Sequence, residues 1–222
     1  MQHLQGLIFD LDGTLLDSAP DLRQAVNKML GQHGRRPLTL GETKQAVGDG
    51  AMALVRKAFA FTGDVPSNDL FPFVQEYIQH YRQIKADPAQ IYPHVLDMIT
   101  QYSQDGVKLG ICTNKPEAAT YKLLEELNIR HHFEFIAGSD TFPTHKPNPE
   151  HIYGVITALD VPPENCVMVG DSINDVLAAH GAGIPCIVVT QGYGRDFEEL
   201  RADFLIKDFS ELPAAISKLG FT

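Results

Sequence analysis

The sequence has few of the residues on which disulfide-rich and membrane-spanning proteins depend. Its 3 cysteines are odd in number and none belongs to a CxxC pair, so we expect reduced thiols in the core rather than disulfides or a zinc site. No apolar run approaches the roughly 18 residues that a transmembrane helix needs. We therefore expect neither secretion nor membrane insertion, and a cytoplasmic location.

Positive charge is also scarce, with 18 Lys and Arg against 28 Asp and Glu and a formal net charge of -10. Nucleic acids and anionic membranes are bound through clustered Lys and Arg, so neither is expected as a partner. A small phosphorylated ligand would need cations placed locally around it. The composition leaves a monomer and a homodimer both open.

What the chain does contain is a regular alternation of short apolar runs with helical segments. The apolar runs predict strands over residues 6–9, 107–112, 133–137, 166–169 and 186–189, with a weaker one over 204–206 before a closing helix over 210–219. This alternation is typical of a doubly wound α/β sheet with parallel strands. We therefore predict a Rossmann-like α/β core.

Residues 18–87 interrupt this alternation, because they show helical periodicity and no convincing strand. Glycines and Pro66 separate helices that are predicted over residues 21–30, 40–47, 51–59 and 68–84. A chain of 222 residues is long for one minimal domain and short for two, which favours one domain with an insertion. We predict a small helical cap over residues 18–87, inserted into a core of residues 1–17 and 88–222.

Two carboxylates and a glycine follow the first predicted strand, in the segment Asp10-Leu11-Asp12-Gly13-Thr14. Side chains two residues apart in an extended backbone point to the same face, so Asp10 and Asp12 can reach one ligand. Gly13 allows a tight turn beside that ligand. A hairpin turn is the plainer interpretation of an Asp-Gly pair taken alone. Phosphoryl chemistry becomes the better interpretation because complementary groups follow later segments.

Hydroxyl, amide and ammonium groups stand in two of these later segments. Thr113 and Asn114 end a predicted strand and precede a helix whose first N–H groups can bind an anion, although helix capping explains this segment when it is taken alone. Lys146 lies in the segment Thr144-His145-Lys146-Pro147-Asn148-Pro149, where prolines favour an extended chain. Most loop lysines are merely solvated, but a stiff loop aims an ammonium at an anion with a smaller loss of entropy.

Two further carboxylates, Asp171 and Asp175, follow the strand predicted over residues 166–169. Ser172 and Asp175 fit a helix capping box, which accounts for both of them but not for Asp171. Carboxylates at a strand tip and in the first helical turn suit Mg²⁺, which takes hard oxygen ligands and keeps positions for water and phosphate. Because the carboxyl ends of parallel strands share one edge of a sheet, these groups are expected to form one site.

In their order along the chain, these motifs resemble those of the haloacid dehalogenase superfamily. The resemblance rests on four segments that together span nearly the whole chain: residues 10–14, Thr113-Asn114, Lys146-Pro147, and Gly170-Asp171 with Asp175. It implies a magnesium-dependent phosphomonoester hydrolase with a Rossmann-like core and a helical cap that governs specificity.

The resemblance also implies roles for individual carboxylates. Asp10 would be the nucleophile that forms a covalent aspartyl phosphate, and Asp12 would be the general acid and base. Mg²⁺ would be bound by the Asp10 carboxylate, the backbone carbonyl of Asp12 and the Asp171 carboxylate, with support from Asp175.

The implied substrate is a small phosphomonoester, whose phosphate would be held by Thr113 and Lys146. The residues predicted to contact it are Gly13, Thr113, Asn114 and Lys146 in the core and Gly48 and Gly50 in the cap. Residues 47–56 look like the corresponding segment of phosphoglycolate phosphatases, where paired glycines can present N–H groups to a short carboxylate. We therefore expect 2-phosphoglycolate as the substrate, although the glycines would also serve to separate two cap helices.

Other functions stay open at this point. A sugar-phosphate phosphatase or a phosphomutase would carry the same reactive groups. A non-catalytic or receiver-like signalling protein also binds magnesium with acidic residues on an α/β fold. Its phosphorylated Asp, however, lies on a mid-chain strand, and no helical cap is inserted. One departure from relatives is His94, at a position where Gly is common.

Overall fold

The protein is represented by a computed structural model that describes residues 2–67 and 69–222. The chain divides into two compact units, one formed by Met1–Asp17 and Pro88–Thr222 and the other by Ser18–Asp87. None of the helices in the described part of the chain is long and apolar enough to span a bilayer.

The helices alternate with parallel strands in the first unit and stand alone in the second. The described helices are α1 (Ala19–Gln32), α2 (Leu40–Ala46), α3 (Gly50–Thr62), α4 (Phe71–Arg82), α5 (Val95–Gln104), α6 (Glu117–Glu126), α7 (Glu150–Leu159), α8 (Ile173–Gly181) and α9 (Leu212–Lys218). The strands are β1 (Gly6–Phe9), β2 (Lys108–Cys112), β3 (Phe135–Ala137), β4 (Cys166–Gly170), β5 (Cys186–Val189) and β6 (Phe204–Ile206).

The strands form one sheet in the order β3-β2-β1-β4-β5-β6, and all the neighbouring pairs are parallel. The predicted Rossmann-like α/β core is confirmed. The strand order reverses at β1, which pairs with β2 on one side and with β4 on the other. In open α/β sheets, ligands bind at the carboxyl ends of the strands beside such a reversal.

Both faces of the sheet are covered, which explains why its strands are nearly continuous apolar runs. Helices α7 and α8 pack on one face, where Ile8 of β1 is buried in a cluster that includes Ile152 of α7. On the other face the ring of Phe9 lies 6.4 Å from the rings of Phe133 and of Phe209. The 3 cysteines are free and buried, as predicted.

The second unit, Ser18–Asp87, is a bundle of the four helices α1 to α4 with its own apolar core. Val26 of α1, Phe59 of α3 and Tyr77 of α4 are buried in that core. The structure therefore has helices in residues 18–87, as the sequence pattern predicted. Helix α1 is longer than its prediction at both ends and α3 extends to Thr62, whereas α4 begins at Phe71. The predicted start of that last helix includes Asn68, which lies outside the described residues.

Candidate active site

The predicted core residues meet at the carboxyl edge of the sheet. Asp10 follows β1, Thr113 follows β2 and Asp171 follows β4, and β1 lies between the other two strands. Because parallel strands in register end at the same level, these three side chains converge. Asp10 is the central one, which suits a group that must meet partners on both sides.

A cluster of carboxylates forms one half of the site. Oxygens of Asp10, Asp171 and Asp175 lie within 4.8 Å of one another, and all three residues are buried. Burial raises the pKa of Asp10 to about 6, although Lys146 opposes the rise. Burial, together with the charges of Asp175 and Asp10, raises the pKa of Asp171 well above its usual range. Buried carboxylates at this spacing need a compensating cation, and their hard oxygen atoms suit a divalent metal ion.

Lys146 supplies one positive charge to this cluster. Its side chain is 1% exposed, and its Nζ lies 2.5 Å from Oδ1 of Asp175 and 3.1 Å from Oδ1 of Asp10. Burial on its own would lower the pKa of Lys146, but the two carboxylates raise it, so that the group is an ammonium. Three carboxylates against one ammonium leave an excess of negative charge, which a divalent cation would balance.

Asp175 connects Lys146 to the backbone of the segment that carries Asp171. Its Oδ1 accepts the hydrogen bond from Lys146, while its Oδ2 accepts from the backbone N–H of Asp171 at 3.1 Å. The same Oδ2 accepts from the backbone N–H of Ser172 at 3.0 Å and from its hydroxyl at 2.7 Å. Both oxygens are therefore engaged by protein donors. This geometry favours Asp10 and Asp171 as metal ligands and Asp175 as their support.

Gly13 makes room for Asp171. A Cβ atom at Gly13 would lie 2.4 Å from Oδ2 of Asp171, and the residue has a φ of +90°, which disfavours other side chains. The N–H of Gly13 donates to the carbonyl of Leu16 at 2.8 Å. That amide is therefore part of the turn, and Gly13 leaves space for the side chain of Asp171. The substrate contact predicted for Gly13 stays a prediction.

Thr113 and Asn114 have different partners. Thr113 is 2% exposed, and its hydroxyl donates a hydrogen bond to Asp10 that opposes the rise in pKa caused by burial. The side-chain amide of Asn114 donates to the backbone carbonyl of Lys146 at 2.9 Å. In this geometry Asn114 holds the loop that carries Lys146. The substrate contact predicted for Asn114 stays a prediction.

His151 is a site component that the sequence analysis missed. It is fully buried, its Nδ1 accepts from the backbone N–H of Lys146 at 3.2 Å, and its Nε2 donates to the carbonyl of Gly138 at 3.1 Å. Burial and the charge of Lys146 lower the pKa of His151 to about 4. The neutral ring therefore fixes the backbone on which Lys146 is mounted. Its position five residues after Lys146 gave no signal of this contact.

Two further residues were also missed. The backbone N–H of Tyr193, in the loop after β5, donates to Oδ2 of Asp171 at 2.6 Å. Lys115 lies with its Nζ 3.2 Å from Oδ1 and 3.0 Å from Oδ2 of Asp12. Tyr193 gave no sequence signal, because its contact depends on a loop far along the chain. Lys115 did give one, since it directly follows Thr113-Asn114.

Gly48 and Gly50 lie in the helical unit, at the turn from α2 to α3. Their φ angles are +113° and +84°, and α3 begins at Gly50. Glycine adopts such angles without strain, so both residues serve this turn. Their contact with substrate stays a prediction.

Comparisons with known proteins agree with this geometry. Residues 7–189 match the family model described as haloacid dehalogenase-like hydrolase. The chain is 40% identical over 215 residues to a phosphoglycolate phosphatase of Agrobacterium fabrum, and the match covers 96% of this chain and 92% of that protein.

Solved structures show the same fold. The crystal structure of a predicted phosphoglycolate phosphatase from Haemophilus somnus has a TM-score of 0.89 and 26% identity, and the match covers 96% of this chain and 98% of that one. A β-phosphoglucomutase from Clostridium difficile has a TM-score of 0.79 at 20% identity, with 97% and 98% covered, which shows a shared fold alone. The predicted family is confirmed, and the chain belongs to the haloacid dehalogenase-like hydrolases.

Proposed function

We propose that this hydrolase removes phosphate from a small phosphomonoester through a covalent intermediate on Asp10, and that 2-phosphoglycolate is its preferred substrate. The observation that carries the proposal is the setting of Asp10, which is buried between the ammonium of Lys146 and the carboxylate of Asp171. The relatives named phosphoglycolate phosphatase, which match over nearly the whole chain, support the choice of substrate.

A divalent cation belongs to this proposal. The Asp10 and Asp171 carboxylates and the backbone carbonyl of Asp12 would hold Mg²⁺, because this ion prefers hard oxygen ligands and keeps positions for phosphate. When bound, the ion would neutralise the phosphate charge and polarise the reacting phosphorus centre.

The first half-reaction transfers the phosphoryl group to the enzyme. Lys146 and the Thr113 hydroxyl would hold the phosphate oxygens, so that repulsion between the phosphate and the Asp10 carboxylate is reduced. An oxygen of Asp10 then attacks phosphorus, and the bond between phosphorus and the substrate oxygen breaks. Asp12 donates its proton to that leaving oxygen, which departs as an alcohol.

The second half-reaction restores the enzyme. Asp12, now a carboxylate, takes a proton from a water molecule that attacks the phosphorus of the aspartyl phosphate. Inorganic phosphate leaves, Asp10 is again a carboxylate and Asp12 is again protonated. One residue thus serves as acid and then as base. A phosphomutase would instead return the phosphoryl group to a sugar, and the fold shared with a mutase does not separate these outcomes.

A substrate panel tests the proposal. Phosphate release is measured from 2-phosphoglycolate, glucose 6-phosphate, ribose 5-phosphate and p-nitrophenyl phosphate, with Mg²⁺ and with a chelator. We expect the highest kcat/KM for 2-phosphoglycolate, and loss of activity with chelator that Mg²⁺ restores. Asp10→Asn should be inactive, whereas Asp97→Asn, at an exposed acid of α5, should behave as the wild type.

Two results would overturn the proposal. A clear preference for a sugar phosphate would reject 2-phosphoglycolate. Hydrolysis that leaves no radiolabel on Asp10 after rapid quenching with ³²P-labelled substrate would reject the covalent intermediate.

A further inference from the structure

Lys115 is a buried cation that the proposed steps do not use. Its side chain is 4% exposed, and both carboxylate oxygens of Asp12 lie within 3.2 Å of its Nζ. The backbone of Lys115 is also anchored, since its N–H donates to the Thr113 hydroxyl at 3.3 Å and its carbonyl accepts from Ser139 at 2.9 Å. The ammonium is therefore held in one place by both its backbone and its ion pair.

The two buried lysines of the site contact opposite participants in the reaction. Lys146 contacts Asp10, the proposed nucleophile, whereas Lys115 contacts Asp12, the proposed acid. A nucleophile meets the phosphorus atom, and an acid meets the oxygen that leaves. The position of Lys115 therefore places its charge beside the leaving group and not beside the transferred phosphate.

We propose that Lys115 binds the carboxylate of the leaving group, and so selects substrates whose alcohol is a short hydroxy acid. The inference rests on the proposed function and deepens it. In 2-phosphoglycolate the carboxylate is attached to the carbon that bears the leaving oxygen. An ammonium has three donors, so Lys115 can contact Asp12 and the substrate carboxylate together.

A neutral leaving group would gain less from this ammonium, because a sugar hydroxyl can accept a hydrogen bond from it but carries no charge to form an ion pair. The arrangement thus distinguishes substrates by the charge of the alcohol and not by its size. It also gives an anionic substrate a specific cation in a chain whose formal net charge is -10.

The test compares 2-phosphoglycolate with ethyl phosphate, in which a methyl group replaces the carboxylate. Lys115→Met removes the charge and keeps most of the side-chain length. We expect kcat/KM for 2-phosphoglycolate to fall about 100-fold more than kcat/KM for ethyl phosphate, with most of the difference in KM. Lys122→Met is the matched control, because Lys122 pairs with Glu126 on the surface of α6, and it should leave the ratio between the two substrates unchanged.

A second test uses the wild-type protein alone, so it does not depend on whether a variant folds. Glycolate, the alcohol that leaves in the first half-reaction, should inhibit far more strongly than glycolamide, its neutral analogue. Equal inhibition by the two compounds would overturn the inference, and so would an equal fall of both substrates in Lys115→Met, since Lys115 would then act only through Asp12.

The failure of the proposed function gives a different result. Wild-type protein that releases phosphate from neither ester, nor from any other member of the substrate panel, is not the phosphatase proposed. Wild-type protein that hydrolyses 2-phosphoglycolate while Lys115→Met keeps the wild-type preference for it over ethyl phosphate retains the proposed function and refutes the role of Lys115.

Discussion

Mild acid should destabilise the protein through His151. The pKa of this buried ring is lowered to about 4, whereas the unfolded chain binds its proton near the ordinary value of 6.5. Because the folded pKa lies below the unfolded one, the stabilising effect of the neutral ring is complete above pH 6.5 and decreases as the pH falls from 6.5 towards 4. Between pH 7.5 and pH 5 this linkage amounts to about 2 kcal/mol in the free energy of unfolding.

Urea unfolding at these two pH values measures the effect, and His151→Asn isolates it from all other titrating groups. An Asn oxygen can still accept from the N–H of Lys146, so the variant should fold but be less stable at pH 7.5. Its loss of stability on acidification should be about 2 kcal/mol smaller than that of the wild type. His3→Asn, at an exposed histidine, is the control and should lose as much as the wild type. Equal losses in wild type and His151→Asn would refute the reasoning.

Three further outcomes are expected. Thr113→Ala should reduce turnover roughly 100 to 1,000-fold, because one phosphate donor is lost, whereas Asp10→Asn should retain essentially no activity. Steady-state assays that find equal residual activity in the two variants would contradict these roles. Gly13→Ala should weaken Mg²⁺ binding at least tenfold in calorimetric titration, since the alanine Cβ would lie 2.4 Å from an oxygen of Asp171. Unchanged affinity for Mg²⁺ would disprove the steric role of Gly13. His94→Gly should raise the free energy of unfolding by about 0.5 to 1 kcal/mol, because His94 has a φ of +66°, which strains a residue with a Cβ. Urea unfolding measures this change. A less stable variant would show that the His94 ring makes a stabilising contact.

The sheet could be predicted because its strands are short apolar runs with clear ends. Strands β1, β5 and β6 have the predicted bounds. Strand β3 begins at Phe135 and not at residue 133, since Phe133 follows a short 3-10 turn and packs its ring against Phe9. Apolar character alone does not distinguish a buried strand residue from a buried loop residue beside it.

The reactive groups could be predicted for a related reason. Asp10, Thr113 and Asp171 each follow a strand, and the geometry of a parallel sheet brings such positions together. The roles of His151 and Tyr193 could not be predicted from local sequence. His151 lies in the first turn of α7 and contacts the backbone of Lys146 and Gly138, and Tyr193 lies in the loop after β5, so both contacts depend on tertiary packing. Local sequence determines where a strand ends, but not which distant loop returns to it.

Asp175 imposes a constraint on any attempt to redesign this protein. A Cβ atom at Gly170 would lie 2.3 Å from Cγ of Asp175, so there is no space for a larger residue between this carboxylate and position 170. It orders the chain at the start of α8 and the lysine loop at once. Substitutions of Asp175 will therefore lower the stability of the fold together with turnover. Attempts to stabilise the protein by neutralising buried acids should leave Asp175 unchanged.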